Sequence, residues 1–235
     1  MIVYIKRFVL YIFDLIHIYH HQKSIALYIK NKMSKIDVLF DVGSHMGTYT
    51  DFVVKINPGC KSFLFEPQSE VFKKIKQKYA NSENIDVYNF AISDTEKKQY
   101  LNLNKHDLTA SLMSFDPNSS YLKFKAKLYQ TDINNMNYGT ELVQTITLDK
   151  FITDNNLKKI DLLKIDTEGN EFNVLKGLNK KINIVNNILI EIHHRELFLD
   201  YDPEKIHQYL VSNGFKLVKK FRFPFCWVDS LYTKI

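Results

Sequence analysis

From Ile36 to the end of the chain, short apolar runs alternate with stretches of helical periodicity. "IDVLFD" (36–41), "KSFLFE" (61–66), "IDVYNFA" (85–91), "IDLLKID" (160–166) and "NILIEIH" (187–193) each read as a buried strand. Helical patterns lie between and after them. "TYTDFVVKI" is ended by Asn57-Pro58-Gly59, "SEVFKKIKQKY" (69–79) carries a lysine face, and a third pattern runs from Glu171 to Leu178. A fourth, "DPEKIHQYLVSNGF", has Pro203 near its start and Gly214 at its stop. Strands separated by helices pair in parallel, with helices on both faces of the sheet. The closing strands, "FKLVKKF" and "FCWVDSLYT", have only "RFP" between them and so pair antiparallel. The predicted fold is α/β, an open and mostly parallel seven-stranded sheet that ends in an antiparallel hairpin.

The chain of 235 residues suits one such domain, spanning 36–235, preceded by a helical segment over 1–35. With 45% apolar and 25% charged residues, long disorder is excluded. Cys60 and Cys226 form no C-x-x-C pair and flank no His cluster, so a disulfide framework or structural zinc is not expected, and a reducing cytoplasm fits. The formal charge of +6 suits acidic partners such as phosphates, nucleotide-sugars, anionic lipid or nucleic acid, and equally suits lysines that merely solvate helix faces.

Residues 1–30 are rich in apolar and aromatic side chains, but Asp14 interrupts the run that follows Lys6 and Arg7. No uncharged stretch reaches the roughly 18 residues of a spanning helix, and no small-x-small cleavage site follows. The segment is expected to pack as a helix on the domain or on a second copy in a homo-oligomer. The other reading is a helix in peripheral contact with the inner face of a membrane, with Lys6 and Arg7 among the headgroups.

The middle of the chain breaks the alternation. Residues 106–144 read as an inserted lid or substrate wall, too long for a plain connector. Within it "YLKFKAKLY" (121–129) alternates, with Leu122, Phe124, Ala126 and Leu128 on one side and Lys123, Lys125 and Lys127 on the other, which predicts a half-exposed strand. That lysine face, preceded by a loop with His106 and Ser111, would border the acceptor pocket and meet a phosphate-bearing acceptor, or else is a solvated strand face with no ligand.

"VLFDVGSHMGTYTDF" (38–52) places Asp41, Gly43 and Gly47 directly after the first strand. Gly43 permits a tight turn near a ligand and Gly47 a close approach of the next helix. The dinucleotide fingerprint would need Gly at 45 and 48, where His45 and Thr48 stand. Glu66, followed by Pro67, ends the second strand, where a carboxylate can accept both hydroxyls of a ribose. A glycine turn without a full phosphate cradle, plus this acid, suits a nucleoside ligand without pyrophosphate, such as S-adenosylmethionine. Its amino-acid end would lie by Gly43, Ser44, His45, Gly47 and Thr48.

These segments, with "FEP" (65–67), "NFAISD" (89–94), "TLDKF" (147–151), "LLKIDTEGNEFNVLKGL" (162–178) and "ILIEIHH" (188–194), resemble the FkbM family of S-adenosylmethionine-dependent methyltransferases over roughly 37–215. The resemblance implies a class I methyltransferase (Rossmann-like) fold. It also implies a cofactor site that takes in Asp41, Glu66, Pro67, Ala91 and Asp166, and O-methylation of a sugar or polyketide-linked hydroxyl. The turn departs from the family pattern, with Ser44-His45 where Ala-Asn is common.

Methyl transfer to oxygen requires alignment of the acceptor and removal of its proton. Asp166, Glu168 and Glu171 follow the fourth strand of this pattern, and Glu191, His193 and His194 the fifth. His193 is the natural general base, with Asp166 and Glu168 beside it. Glu171 can equally cap its own helix. Asp166, Glu168 and Glu191 could instead gather Mg²⁺. Nucleic acid is not the expected acceptor. The turn after the fourth strand reads Asp166-Thr167-Glu168-Gly169 rather than an Asn/Asp-Pro-Pro-aromatic turn, and neither cysteine is placed as a nucleophile. The expected acceptor is therefore a sugar hydroxyl in a glycan or nucleotide-sugar. The alternative is a membrane- or partner-binding module whose nucleotide pocket has no turnover.

Overall fold

The structure, a computed structural model, describes residues 19–33, 35–104, 110–128, 137–222 and 227–235. Residues 19–32 form helix α1. Strand β1 (Val38–Val42), α2 (Thr48–Ile56), β2 (Lys61–Phe65), α3 (Ser69–Lys78) and β3 (Ile85–Tyr88) follow. A second group comprises β4 (Ala91–Ile92), β5 (Lys97–Asn104), β6 (Ala110–Ser111), α4 (Ser120–Leu128) and β7 (Asn137–Ile146). The chain then returns through α5 (Leu148–Asp154), β8 (Leu162–Ile165), α6 (Glu171–Lys176), a 3₁₀ turn (Asn179–Ile184) and β9 (Asn187–Ile192). It ends with α7 (Pro203–Ser212), β10 (Phe215–Arg222) and β11 (Val228–Lys234).

The main sheet has the order β10-β11-β9-β8-β1-β2-β3. Strands β3, β2, β1, β8 and β9 run parallel, and β11 is antiparallel to both β9 and β10. This is the class I methyltransferase arrangement. The hairpin expected at the chain end is present, but its last strand inserts between β9 and β10 instead of extending the edge. The order reverses at β1, where β1 pairs with both β2 and β8, so a crevice opens at the carboxyl ends of these strands.

The two faces of the sheet differ. One carries Phe40, Val42, Leu163, Ile165, Ile188 and Ile190 against Phe151, Val174, Leu175 and Leu210 of α5 to α7. The other carries Leu39, Leu162, Leu189 and Leu231, packed by Tyr49 and Val53 of α2 and by Ile25, Ala26 and Ile29 of α1. Burial of Ile25 and Ile29 to 1% and 0% exposure contributes about 1.5–3 kcal/mol for each. Over its described length the N-terminal segment therefore packs on the domain, as one of the two expectations had it. Residues 1–18, with Lys6, Arg7 and Asp14, lie outside the described residues. No helix among the described residues is long and apolar enough to cross a membrane.

Two sequence expectations are corrected. Residues 121–129 were expected as a strand, but Ser120–Leu128 is a helix. Leu122 and Ala126, four apart, are buried together, and Ser119 Oγ accepts from Leu122 N at its start, while Phe124 is 62% exposed. The period is helical, so Lys123, Lys125 and Lys127 do not form one strand face. The run 85–91 is not one strand, because β3 stops at Tyr88 and Ala91–Ile92 pairs with β7 in a second sheet of order β4-β7-β5-β6. Strand β7 crosses the boundary expected for the insertion at Gln144 and pairs along β5. The β5 and β7 strands escaped the sequence pattern because one face is open to solvent. Leu101 and Val143 are buried, whereas the cross-strand pair Tyr100 and Leu142 is 64% and 53% exposed. His106 and Cys226 lie outside the described residues.

Candidate active site

The turn after β1 is held by backbone constraints. Gly43, His45 and Gly47 have φ of 78°, 44° and 70°. Gly43 N and Ser44 N donate to Phe65 O at 3.0 and 3.1 Å, which ties the turn to the end of β2. A β-carbon on Gly43 would lie 1.8 Å from the carbonyl oxygen of Asp166, and one on Gly47 would lie 2.5 Å from the Tyr79 hydroxyl. Gly43 is thus required by the neighbouring strand end as well as by φ. Gly47 lets Tyr79, just past α3, close on α2, and Tyr79 donates to Gly47 O at 2.9 Å.

Glu66 follows β2 and is 3% exposed. Its Oε2 accepts from His45 N at 2.9 Å and its Oε1 from Gln68 N at 2.8 Å. Burial pushes its pKa up to about 7, against the pull of those two amides. Asn89 Nδ2 donates to the carbonyls of Glu66 and Pro67, both at 2.9 Å, and so fixes this turn. Sequence reasoning missed Asn89, although it lies in the quoted "NFAISD". Ala91, the residue expected at the cofactor, packs with Leu101 and Val143 in the second sheet.

Burial lowers the pKa of the His45 ring, with Asp166 opposing. Ser44 Oγ is buried without a hydrogen-bond partner among the described residues. Thr48 opens α2 and is half-buried. Glu66 uses one hydrogen bond on each oxygen, and a carboxylate offers about four lone-pair sites. An anchored acid with spare acceptor capacity and an orphan hydroxyl in the facing turn fit the ribose and amino-acid ends of S-adenosylmethionine.

On the α1 face the strands carry apolar residues low down and charges at the crevice end. Asp41 pairs in register with Lys164, and Glu191 with Asp229. Lys164 Nζ lies 2.9 Å from Asp166 Oδ2 and 3.5 Å from Asp41 Oδ1. Burial alone would depress the Lys164 pKa, but the Asp166 and Asp41 charges outweigh it and hold the group protonated. Asp41 Oδ2 also accepts from Thr50 Oγ1 at 2.7 Å, so this acid orients α2 as well. His21 of α1 meets Asp229 at 2.8 Å, a bond that partly counters the upward push of burial on Asp229. Lys164 was also overlooked in the sequence. Its signal was a lysine inside an apolar strand, which must find counter-charges when buried.

The turns after β8 and β9 form the second part of the site. Glu168 has φ 52° and Gly169 φ 98°. Glu171 Oε1 accepts from Thr167 N, Thr167 Oγ1 and Gly169 N at 3.0–3.1 Å, so Glu171 shapes the turn before α6 rather than capping the helix, whose N-cap residue Asn170 makes no side-chain cap bond. Ser111 Oγ donates to Glu168 O, which brings the early part of the insertion against the turn. Phe198 lies on Gly169, where a β-carbon would meet its ring at 2.7 Å. Phe198 also stands edge-on to His193, with ring centroids 5.3 Å apart.

His193 Nε2 lies 3.4 Å from Glu191 Oε1, 3.8 Å from Glu168 Oε2 and 3.9 Å from Glu171 Oε1. Its backbone N–H donates to the Tyr201 hydroxyl at 3.1 Å. Burial raises the Glu191 pKa well above the usual carboxylate range. His194 is exposed, with its ring 5.4 Å from Tyr121.

One atom each of Glu168, Glu191 and His193 lies within 4.8 Å of the others, close enough to share a cation. Asp166, expected as a third carboxylate ligand, is paired with Lys164 instead. Two carboxylates and an imidazole do not match the all-oxygen set that Mg²⁺ prefers. Mg²⁺ is therefore not assigned to the site.

The methyltransferase FkbM domain model matches residues 41–217. The hexuronic acid methyltransferase AglP of Haloferax volcanii is 28% identical over 159 residues, which are 67% of this chain and 56% of that protein. Methyltransferase 1 of Beauveria bassiana is 25% identical over 167 residues, 66% of this chain and 64% of that protein. The chain thus spans less than two thirds of the length of either relative. The putative rRNA-methylase from Clostridium thermocellum superimposes with a TM-score of 0.50 at 12% identity, over 90% of this chain and 96% of its own, a likeness of fold. With its glycine turn, its Glu66 turn and its "KIDTEGNE" block all inside the matched span, the chain belongs to the methyltransferase FkbM domain family.

Proposed function

We propose that this protein is an S-adenosylmethionine-dependent O-methyltransferase acting on a hydroxyl of a sugar. The observation that carries this reading is the group Glu168, Glu191 and His193 at the ends of two adjacent strands, one strand away from the anchored Glu66 turn. The name of the Haloferax volcanii relative supports a sugar-derived acceptor. S-adenosylmethionine supplies a methyl made electrophilic by its sulfonium. Glu66 holds the ribose hydroxyls, and the turn from Gly43 to Thr48 receives the amino-acid end. Asp166, paired with Lys164, borders the methyl position. The acceptor's hydroxyl proton passes to Nε2 of His193 as its oxygen takes the methyl, and Glu168, 3.8 Å from that nitrogen, offsets the charge gained by the imidazole. No step requires a metal.

Isothermal calorimetry with S-adenosylhomocysteine tests the cofactor half, with measurable heat expected from wild type. A well-folded protein that gives no heat overturns the reading. A screen of free glycans and nucleotide-sugars for S-adenosylhomocysteine release tests the acceptor half.

A further inference from the structure

Helix α1 presents opposite chemistry on its two sides. Ile25, Ala26 and Ile29 are buried against the sheet, whereas His20, Lys23, Leu27 and Lys30, spaced three or four residues apart, are exposed on the outside. Lys32 is exposed at its end. The edge strand β10 continues this face. Tyr28 of α1 meets Phe221 of β10 with ring centroids 5.2 Å apart, and Lys219 Nζ lies 5.9 Å over the Tyr28 ring. Phe215 and Leu217 pack on the far side of the sheet, so the exposed Lys216 between them points to the α1 side.

These five lysines lack counter-charges. No Asp or Glu occurs in 19–35 or in 215–222. Lys35 is already paired with Asp37 at 2.6 Å, and Asp51 of α2 is paired with Lys78. Asp229 of β11 is buried and bonded to His21. Among the described residues none of the five lysines forms an ion pair, whereas lysines on other elements do, as Lys61 with Asp86, Lys73 with Glu70 and Lys150 with Asp154. Apolar side chains stand among these charges. Tyr19, Leu27 and Val218 are 47%, 46% and 39% exposed. A row of phosphates alone would leave them in water, but a bilayer offers phosphates at its surface and apolar depth just beneath. The sequence that leads into Tyr19 fits the same environment, since in 1–18 only Lys6, Arg7, Asp14 and His17 are neither apolar nor aromatic.

We propose that the outer face of α1, together with β10, docks this protein on an anionic lipid bilayer. The helix then uses both of its sides. Its apolar stripe holds it to the sheet, and its lysine stripe, with Leu27 between Lys23 and Lys30, meets the headgroups. His21 near the start of α1 bonds Asp229, which pairs in register with Glu191, so the docking face adjoins the crevice end of the sheet. The proposal stands apart from the methyltransferase reading, since it needs neither cofactor nor acceptor.

Full-length protein is sedimented with vesicles of phosphatidylcholine alone and with vesicles of phosphatidylcholine and phosphatidylglycerol in equal parts, against a control without vesicles. Binding to the anionic vesicles is expected to be at least about tenfold tighter than to the neutral ones, and to weaken as salt is raised. Lys23→Glu with Lys30→Glu, and separately Lys216→Glu with Lys219→Glu, should each weaken it at least about tenfold. Leu27→Ser, which leaves the charge unchanged, should weaken it about threefold or more. Lys158→Glu with Lys180→Glu makes the same change in net charge away from α1 and β10 and should stay within about twofold. Circular dichroism confirms that each variant is folded. Equal sedimentation with both kinds of vesicle, wild-type binding in the α1 and β10 variants, or an equal loss in the Lys158 and Lys180 control overturns the docking face. Tighter binding to duplex DNA than to anionic vesicles at the same salt, lost in the same α1 and β10 variants, assigns the face to nucleic acid and also overturns the proposal.

Discussion

The carbonyl oxygen of Asp166 fills the place that a β-carbon on Gly43 would take, 1.8 Å away. The glycine turn after β1 and the end of β8 are in this way locked together, and neither can shift without moving the other. Gly43→Ala should therefore cost about 3 kcal/mol or more, since both φ 78° and an immovable backbone atom oppose it. Gly214→Ala is the control. Its φ is 81° but the space around it is open, so only the conformational cost of about 1–2 kcal/mol applies. Urea unfolding of both variants compares them, and equal losses would mean the contact with Asp166 carries no energy.

Glu66 should make both stability and cofactor affinity depend on pH, in opposite directions. Burial raises its folded pKa to about 7 from 4.5. The stability tied to its protonated form is complete below pH 4.5 and is lost as pH rises through 7, by up to about 3 kcal/mol. Ribose hydroxyls donate to the ionised form, so S-adenosylhomocysteine should bind about tenfold more tightly at pH 8 than at pH 6. Glu66→Ala should weaken binding by about 2–3 kcal/mol and flatten that dependence. Calorimetry across this range reads both effects, and an affinity indifferent to pH in wild type contradicts the ribose assignment.

His193→Ala should lower kcat by roughly 10²–10⁴ once an acceptor is in hand, the usual worth of a general base. Cofactor affinity should move little, because the ring sits among Glu191, Glu168 and Phe198, at the ends of β8 and β9. A variant with full turnover would assign proton removal elsewhere.

Tyr49→Phe should leave the free protein as stable as wild type, or more stable by about 1 kcal/mol, because it deletes a buried hydroxyl that has no partner among the described residues. Thermal unfolding without ligand measures this. A loss above about 1 kcal/mol would show that the hydroxyl is already satisfied in the folded chain.

Ile29→Ala should cost about 2–5 kcal/mol, the penalty of a cavity at a fully buried site. Such a loss would show that α1 is part of the folded domain rather than an appended arm. An effect below about 0.5 kcal/mol would detach it from the core.

Much of the main sheet was legible in the sequence. Strands such as Leu162–Ile165 are buried on both faces, so their apolar runs stand out against the helices that must cover them. The strand-end acids and His193 were legible for the same reason, since a polar residue just after a buried strand has only the crevice to enter. Three things were decided by tertiary structure alone. Strands β5 and β7 cover one another on a single face, so their pattern is too dilute to read before their pairing is known. Ser120–Leu128 is a helix because Leu122 and Ala126 find the same core; the alternation that suggested a strand put Phe124 on their face, whereas the helix leaves it exposed. The partners of Lys164 arrive from β1 and from its own strand two residues on, and the neighbours of His193 come from the β8 turn and from β9. Sequence states which groups can ionise or accept a proton. Which charges face each other across a sheet depends on strand order, and strand order is set by packing among segments far apart in the chain.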